Sequence, residues 1–536
     1  MKKYFWFVPI LLIAIGCAQM VSPTGGKKDI TPPELVESNP PHKTTNFKGN
    51  TISLTFDEYV VIDNLMQKLI ITPEADNPYT PTVKNQTVVL KFRKPFKDST
   101  TYTFNFADGI KDQAERNPAQ NLKLVFSTGP VIDSGRVYGT VKDIRNDKPV
   151  FDALVGLYQL SDSLTPEKNK PYYFSRTDSS GRFAIENTQI ASYALIALTD
   201  KNNNLIYNPK DESIAFLDSI VNITSDSVTV EMKVFHSDIT PPRVQRTIPK
   251  VNDYTLVLSK GFETLEVAFQ GDKKIPYILE SHNQIKFFNV PVQEDTVRAS
   301  IRMVDSLGIE LEWEQKINFL PQRGKERQRT PFTAKNDLPS DQPVTSDYKT
   351  KIIFNKPVFY FDSTLVKVTG DSLPLPSDIR YTWNSQRNEL DIAFQHKAKD
   401  SVVLTAPKGT FISIEEDTLA GIKYKNAILD PEKFGILRGT IHNPNDVPFV
   451  VELIDKDFKN LVFRSEKTPF EFRNIKPGAY RLRIFIDYNR NGRWDTGNYT
   501  RKLQPEPIIV YPQELLIKAN FEYEDQYFDL STFQAQ

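Results

Sequence analysis

The chain has 536 residues with 67 Lys and Arg against 67 Asp and Glu. This length exceeds what one hydrophobic core holds and predicts several domains, while zero net charge removes the broad attraction that nucleic acid normally requires. Aromatic residues make up 11% of the chain, and its 37 prolines outnumber its 22 glycines. This composition favours short strands joined by turns, so we expect an all-β, multidomain protein that does not bind nucleic acid.

The N-terminus begins with a basic stretch, residues 1–3, and continues as an apolar run over residues 4–16. The run is too short to cross a hydrocarbon core of about 30 Å as a helix and is typical of a signal peptide, residues 1–16. It ends in Ile13-Ala14-Ile15-Gly16-Cys17, which resembles the bacterial lipobox. The resemblance implies cleavage before Cys17, lipidation of that residue and a tether over residues 17–29. An ordinary secretory signal is the alternative.

The residue after Cys17 bears on the destination of the chain. Ala18 stands where an Asp is associated with retention in the inner membrane of enteric bacteria, so the resemblance implies an outer-membrane lipoprotein. Whether it faces the periplasm or the cell surface stays open. Acyl chains contribute about 0.8 kcal/mol per buried CH₂, so two or three of them would anchor the protein stably.

An identical segment, Asp-Ile-Thr-Pro-Pro, occurs at residues 29–33 and 238–242 and predicts two domain starts. After the first copy, residues 51–56, 87–92 and 101–106 alternate polar and apolar side chains, as half-buried strands do. Residues 52–58, 102–106 and 109–112, together with the Phe-Ser-Thr-Gly of residues 126–129, resemble the bacterial Ig-like domain of S-layer-protein type. The resemblance implies an Ig-like β-sandwich over residues 30–130.

A weaker repeat extends this organisation. The turn-and-strand segment of residues 97–102 has counterparts at residues 294–299 and 399–404. They predict two degenerate Ig-like sandwiches, at 238–321 and 349–430. The polar, partly basic stretch 322–348 between them predicts a linker.

A second repeat pairs residues 135–141 with residues 435–441. With the downstream segments 180–183 and 470–482, these residues resemble the transthyretin-like β-sandwich of carboxypeptidase-regulatory type, which implies such modules at 131–237 and 431–536. The fold class is therefore all-β, with tandem Ig-like and transthyretin-like β-sandwich modules after a lipoprotein signal peptide. In this order, and with Pro-Thr-Gly-Gly at residues 23–26 after Cys17, the chain resembles Ig-like-domain lipoproteins of Bacteroidetes, a resemblance that implies no established activity.

The sequence contains few residues in patterns that are typical of catalytic sites. The only cysteine is Cys17, which excludes an intramolecular disulfide and a cysteine-based zinc site. The five histidines are scattered, and no nucleophile elbow, phosphate loop or Rossmann motif occurs. The adjacent carboxylates Glu415 and Glu416 point to opposite sides of an extended chain, so we expect them in turns or in solvent. No enzyme activity and no required cofactor are predicted, although carboxylates paired from distant strands would escape sequence inspection.

One loop has the pattern of a Ca²⁺ site. Acidic or amide side chains occupy loop positions 1, 3, 5 and 9, with Gly492 at position 6: Asp487, Asn489, Asn491 and Asp495. Position 12 is an Asn instead of the usual Glu. A related loop begins at Asp200, and Asx turns without an ion would produce the same residues. With two carboxylates, a Ca²⁺ site would be weak, with a Kd on the order of 10⁻⁴–10⁻³ M.

These features favour a non-enzymatic, lipid-anchored protein that acts as a scaffold or interaction module at the outer membrane, with a protein of the cell envelope as partner and the membrane bound through Cys17. The alternative is a surface glycan-binding or adhesive lipoprotein, which would require exposed aromatic platforms. Trp313, Trp383 and Trp494 are expected in cores. A β-sandwich hydrolase is the third hypothesis.

Overall fold

The computed structural model describes residues 28–74, 77–161, 163–224, 226–271, 274–293, 295–322, 329–340, 342–375 and 378–534. Of the residues in these ranges, 48% lie in strands and 2% in helices, which confirms the all-β prediction. The strands form five consecutive β-sandwiches, called sandwiches 1 to 5 below. The predicted signal peptide and the predicted lipidation site, Cys17, lie outside the described residues. Within these ranges no helix has the length and apolarity needed to span a membrane.

Sandwich 1 confirms the three alternating strands predicted from the sequence. Thr51–Phe56 buries Ile52, Leu54 and Phe56 while the residues between them stay at least partly exposed, so one face of the sheet enters the core. Its strands are β1 (Leu35–Asn39), β2 (Thr51–Phe56), β3 (Val60–Ile62), β4 (Ile70–Thr72), β5 (Tyr79–Lys84), β6 (Thr87–Phe92), β7 (Thr101–Asn105), β8 (Ile110–Asp112) and β9 (Lys123–Ser127), with one short helix, α1 (Leu65–Lys68). The two sheets have the orders β1-β2-β6-β5 and β4-β7-β9, and β3 pairs with β8.

Sandwich 2 is built differently. Its strands are β10 (Gly135–Asp143), β11 (Leu154–Gln159), β12 (Tyr173–Arg176), β13 (Arg182–Thr188), β14 (Ser192–Leu198), β15 (Ser213–Phe216), β16 (Val221–Asn222) and β17 (Val228–His236). The order is β12-β11-β14-β15-β17-β10-β13, with β16 also paired to β14. The first and last strands, β10 and β17, run parallel. The long β17 pairs with both β10 and β15 and so joins the two layers.

Sandwiches 3 and 4 repeat the topology of sandwich 1. Sandwich 3 contains β18 (Val244–Pro249), β19 (Asp253–Leu258), β20 (Thr264–Phe269), β21 (Tyr277–Ser281), β22 (Gln284–Phe288), β23 (Val297–Val304) and β24 (Glu310–Ile317). Its sheets, β18-β19-β22-β21 and β20-β23-β24, correspond strand for strand to those of sandwich 1. Four strands against three in this order is the arrangement of a seven-stranded Ig-type sandwich.

Sandwich 4 adds short edge strands to the same plan. It contains β25 (Ala334–Asn336), β26 (Asp347–Phe354), β27 (Val358–Phe361), β28 (Lys367–Gly370), β29 (Leu373–Pro374), β30 (Arg380–Trp383), β31 (Glu389–Gln395), β32 (Ser401–Ala406), β33 (Phe411–Ser413) and β34 (Ile422–Ala427). The main sheets are β25-β26-β31-β30 and β29-β28-β32-β34. Short 3₁₀ turns lie at Ser363–Leu365 and, just after this sandwich, at Pro431–Lys433.

The chain enters sandwich 4 before the end of the predicted linker 322–348. Phe332 is buried and packs in the same core as Phe354, with their rings 5.7 Å apart. Strand β25 then pairs with β26, and Val344 is buried as well. The sequence prediction places the start of this sandwich too late. Strand β25 is short and its neighbours are polar, so this part of the sandwich has the composition of a linker.

Sandwich 5 repeats sandwich 2 strand for strand. It contains β35 (Gly435–His442), β36 (Phe449–Asp455), β37 (Leu461–Ser465), β38 (Phe470–Ile475), β39 (Gly478–Ile486), β40 (Ile508–Val510), β41 (Leu515–Ile517) and β42 (Glu522–Asp529). Its sheets are β38-β35-β42 and β37-β36-β39-β40, with β41 also paired to β39. As in sandwich 2, the first and last strands pair in parallel.

The repeated glycine of β10 and β35 has a steric cause. A Cβ on Gly139 would lie 2.1 Å from the carbonyl oxygen of Val230 on the parallel neighbour and 2.8 Å from the ring of Phe183. A Cβ on Gly439 would meet the Phe470 ring and a β42 carbonyl in the same way. The repeated glycine therefore lies where an aromatic ring and the backbone of the neighbouring strand leave no room for a side chain.

Glu415 lies in a turn, one of the two places predicted from the sequence, but its side chain is buried. Glu415 is 7% exposed and pairs with Lys356, which is 2% exposed, at 2.5 Å. The Lys356 Nζ also lies 2.6 Å from a carboxylate oxygen of Asp417. Glu416 is exposed, as the sequence predicted. The buried ammonium explains the burial of Glu415, because a buried charge requires a partner.

We expect Lys356→Ala to destabilise sandwich 4 by about 3–5 kcal/mol, because it leaves the buried Glu415 carboxylate without its cation. The matched control is Lys349→Ala in the same sandwich, whose pair with Asp347 is exposed and should contribute about 0–1 kcal/mol. Urea unfolding of both variants measures the difference. Equal losses in the two variants would contradict a structural role for the buried cluster.

Candidate functional site

Strands β11 and β14 of sandwich 2 are buried on both faces. Val155 and Leu195 point into the core between the two layers of the sandwich, whereas Leu154 and Ile196 belong to a second apolar cluster on the outer face. Residues 153–158 and 193–198 are correspondingly apolar on almost every position. Continuous apolar runs of this kind are typical of strands covered on both sides.

Sandwich 5 covers this outer face. We call the shared cluster the clasp; its buried members are Ile144, Leu154, Tyr158, Phe174, Ile196, Leu198, Tyr207, Ile214, Phe216 and Phe235 from sandwich 2, with Val450, Phe485, Tyr499 and Ile508 from sandwich 5. The rings of Phe216 and Tyr499 meet edge to face at 5.2 Å. Each large apolar side chain removed from water contributes about 1.5–3 kcal/mol, so the clasp holds the two sandwiches together.

Polar contacts border the clasp. Thr496 donates its hydroxyl to the carbonyl oxygen of His236 at 2.8 Å, and the Gln504 amide donates to the carbonyl oxygen of Phe216 at 2.9 Å. Arg493, from the same loop of sandwich 5, pairs with Glu263 of sandwich 3. The loop between β39 and β40 therefore contacts sandwiches 2 and 3.

This same loop contains the predicted Ca²⁺ residues, and the structure brings all four of them together. The buried Asp487 carboxylate accepts the backbone N–H groups of Asn491 at 3.1 Å and Gly492 at 2.8 Å. One carboxylate oxygen of Asp495 accepts the side-chain amides of Asn489 at 2.5 Å and Asn491 at 2.9 Å. The loop is thus folded around its own Asx hydrogen bonds.

Sequence inspection missed a fifth member of the loop, Glu506. Its carboxylate accepts the backbone N–H groups of Tyr488 and Asp495, both at 2.9 Å, and so joins the beginning of the loop to its end. Burial raises the pKa of Glu506 to about 7, and the nearby charges of Asp495 and Asp487 act in the same direction. The charges of Asp495 and Asp487 therefore repel that of Glu506.

The related loop of sandwich 2 has the same internal design. Asp200 accepts the N–H of Asn204 at 3.0 Å. Glu212 accepts the N–H groups of Lys201 at 3.0 Å and Asn208 at 2.9 Å. Lys201 and Asn208 follow Asp200 at the same sequence spacing as Tyr488 and Asp495 follow Asp487. The sequence signal for Glu506 is an alignment of the two loops that matches Asp200 with Asp487 and Glu212 with Glu506. In sandwich 2 an Arg176 guanidinium at 2.6 Å occupies the other side of Asp200.

The Ca²⁺ hypothesis stays a prediction. Across the described part of the chain, no group of three or more His, Cys, Asp or Glu side chains is arranged to hold a metal ion. The donor types of the sandwich 5 loop still suit Ca²⁺, which prefers carboxylate and amide oxygens. An oxygen that accepts one N–H keeps a second lone pair for an ion. A bound cation would also offset the repulsion among the three carboxylates.

The three tryptophans expected in cores are half-buried at core edges. Trp383 stacks on Phe354 at 5.7 Å, and the Arg387 guanidinium lies 4.9 Å from its ring centre. Trp494 packs against the clasp, and its indole N–H donates to the carbonyl oxygen of Glu506 at 2.8 Å. Trp313 lies at the edge of the sandwich 3 core. Trp494 therefore stabilises the candidate loop and does not lie within the core of a single sandwich.

Comparison with known proteins agrees with the fold of the first sandwich. Residues 29–128 match the family model described as a bacterial Ig-like domain. No curated protein matches the chain.

Solved structures similar to this chain include a pilin subunit and a surface layer protein. BcpA, the major pilin subunit of Bacillus cereus, is 11% identical over 73% of this chain and 99% of its own, with a TM-score of 0.14. Domains 1–6 of the surface layer protein SbsC are 10% identical over 90% of this chain and 67% of that one, with a TM-score of 0.16. Latent PorU from Porphyromonas gingivalis is 12% identical over 54% of this chain and 35% of its own, with a TM-score of 0.23.

We expect Gly497→Ala to weaken the clasp selectively. A Cβ at this position would lie 2.6 Å from the Phe235 ring and 2.8 Å from the carbonyl oxygen of Leu503, and overpacking of this kind costs about 1–3 kcal/mol. The matched control is Gly421→Ala in sandwich 4, where the nearest atom is 3.4 Å away. Hydrogen exchange should rise in β11, β14 and β39 of the first variant only. Unchanged exchange in those strands would contradict the clasp.

We expect millimolar Ca²⁺ to raise the melting temperature of the full-length protein, because binding to the folded loop stabilises it. Asp487→Asn combined with Asp495→Asn should abolish the rise. The control is Asp371→Asn, which alters another carboxylate that accepts backbone N–H groups, remote from the loop. If the unaltered protein shows neither a thermal shift nor calorimetric heat with Ca²⁺, the Asx hydrogen bonds alone account for the loop.

Proposed function

We propose that this protein is a non-enzymatic scaffold or interaction protein of the cell envelope, anchored to the outer membrane by lipid at Cys17. The clasp is the observation that carries the proposal. Sandwiches joined only by linkers change their relative positions, whereas sandwiches 2 and 5 share one buried apolar cluster. Surfaces that are far apart in the sequence therefore keep a constant separation, which suits the docking of a protein partner across several sandwiches.

Contacts between sandwiches 1 and 2 extend the rigid frame towards the N-terminus. Lys170 pairs with Glu74 at 2.8 Å, Lys123 pairs with Glu186 at 3.3 Å, and the Glu74 N–H donates to the carbonyl oxygen of Tyr172. These polar contacts are partly exposed and are individually weak. Together with the short connection between the sandwiches, they place sandwich 1 beside the clasped pair.

The proposed anchor would lie close to this frame. Asp29 already contacts sandwich 1, where its carbonyl oxygen accepts the Asn117 side-chain amide at 3.0 Å. A fully extended chain from Cys17 to Asp29 spans roughly 40 Å. Lipidation at Cys17 would therefore hold sandwich 1 near the membrane and direct the clasped sandwiches to a partner in the same envelope.

We expect Cys17→Ser to move the protein from the outer-membrane fraction to the soluble fraction, because the lipid is the only proposed membrane contact. The control, Ala18→Ser, keeps the lipidated residue and should stay with the membrane. Fractionation of the native envelope measures this. A Cys17→Ser protein that remains with the membrane after a high-salt wash would contradict the lipid anchor.

The scaffold role is tested by crosslinking the tagged, lipidated protein in its native envelope and identifying what it captures. We expect a specific envelope protein to be captured by the unaltered chain and by Gly421→Ala, and capture to fall with Gly497→Ala, since that change separates the docking surfaces. Protease shaving of intact cells reports which side of the membrane is occupied. Capture that is insensitive to the clasp would contradict a role for the rigid frame.

A further inference from the structure

One sheet of sandwich 4 presents a basic surface to solvent. Strands β28, β32 and β34 lie side by side in this sheet. Lys367 of β28 and Lys423 of β34 lie on either side of Thr405 of β32, and Lys425 lies beside Val403. All three lysines are exposed, and we call these five residues the lysine face. The three strands, which the structure describes in full, contain no Asp or Glu, so no acidic residue of these strands offsets the three positive charges.

The three ammonium groups have no carboxylate partner among the described residues. The other sheet of sandwich 4 differs, since Lys349 pairs with Asp347 at 2.6 Å and Lys351 pairs with Glu389 at 2.9 Å. Asp371, just after β28, is engaged elsewhere, because its carboxylate accepts backbone N–H groups at 2.7, 2.8 and 3.0 Å. Like charges on neighbouring strands repel one another, so an anionic surface placed against the lysine face relieves this repulsion.

The equivalent sheet of sandwich 1 is already a docking surface. Its strands β4, β7 and β9 are paired in the same order, and β4 and β7 contact β12 and β13 of sandwich 2. The Thr103 hydroxyl accepts the side-chain amide of Asn187 at 3.2 Å, and Lys123 pairs with Glu186 at 3.3 Å. This sheet therefore binds the edge of a neighbouring sandwich through a hydroxyl group and a lysine, groups that the lysine face also offers.

Sandwich 5, which follows sandwich 4 as sandwich 2 follows sandwich 1, is a poor match for the lysine face. Glu186, the partner of Lys123, lies on β13, three residues after the phenylalanine that covers the repeated glycine. The corresponding residue of β38 is Arg473, which is exposed and repels lysines. In a second copy of the chain, the matching edge of sandwich 2 is covered by its own sandwich 1. The complementary surface is therefore that of another protein.

We propose that the lysine face is a docking site for an acidic protein of the cell envelope, a proposal that rests on the scaffold function proposed above. Alternate residues of a strand lie about 7 Å apart, and neighbouring strands lie about 5 Å apart. Lys423 and Lys425 therefore match two alternate carboxylates of an extended partner segment, and Lys367 matches a third carboxylate about 10 Å away. Val403 and Thr405 supply apolar and hydroxyl contacts between them. Charge complementarity of this kind speeds association and fixes its orientation.

The experiment places the photocrosslinking residue p-benzoylphenylalanine at Val403 in the full-length lipidated protein, in its native envelope. Val403 is half-buried on the outward side of the central strand β32. The matched site is Val89, which is half-buried on the outward side of β6 in sandwich 1. We expect a protein adduct from position 403 and none from position 89. The crosslinked peptide of the partner should be rich in Asp and Glu.

Charge reversal tests the role of the lysines. Lys423→Glu combined with Lys425→Glu should lower the yield of the position 403 adduct about tenfold or more, because like charges then face each other across the interface. The Lys→Gln pair at the same positions should lower it less. The control is Lys84→Glu with Lys91→Glu, two exposed lysines on the outward side of a sandwich 1 sheet, which should leave the yield unchanged. The altered side chains are all exposed, so the melting temperatures should agree.

The outcomes separate this docking site from the scaffold function. Suppose that general crosslinking of the envelope captures a specific protein. Absence of an adduct at position 403, an adduct with only lipid or polysaccharide, or a yield that survives charge reversal would then each overturn the lysine face as the docking site and leave the scaffold function standing. Capture of no protein by either method would overturn both proposals.

Discussion

The arrangement of this protein depends on one constraint, the burial of an apolar sheet face that sandwich 2 cannot cover by itself. Its strands β11 and β14 carry large apolar side chains on both faces, β15 adds Ile214 and Phe216 to the outer face, and the core between the layers accommodates only one set. An uncovered face of this size would promote association with other molecules. Sandwich 5 covers it, and this contact brings together the opening and closing modules of the 131–536 region.

The sequence patterns predicted the elements better than their assembly. Alternation located β2, β6 and β7, and short repeats identified the modules whose topologies prove equivalent. The runs at 153–158 and 193–198 indicate burial on two faces, but no local pattern says what lies on the second face. The start of sandwich 4 was misplaced for a related reason, since Phe332 is held by long-range contacts in a polar segment.

The candidate loop was predicted in part. The spacing of Asp487, Asn489, Asn491 and Asp495 places them in one loop, because all four belong to a short segment. Glu506 lies further along the chain, and only the folded loop brings its carboxylate to the N–H of Tyr488.

The clasp also determines how mechanical load would travel through the molecule. A pull applied between the N-terminal tether and sandwich 5 passes from sandwich 1 into sandwich 2 and then directly across the clasp. Sandwiches 3 and 4 connect the same two points along the covalent chain, yet they lie in parallel with this path and carry little tension while the clasp is closed. If the clasp ruptured, the molecule could lengthen by the span of sandwiches 3 and 4 before any single sandwich had to unfold.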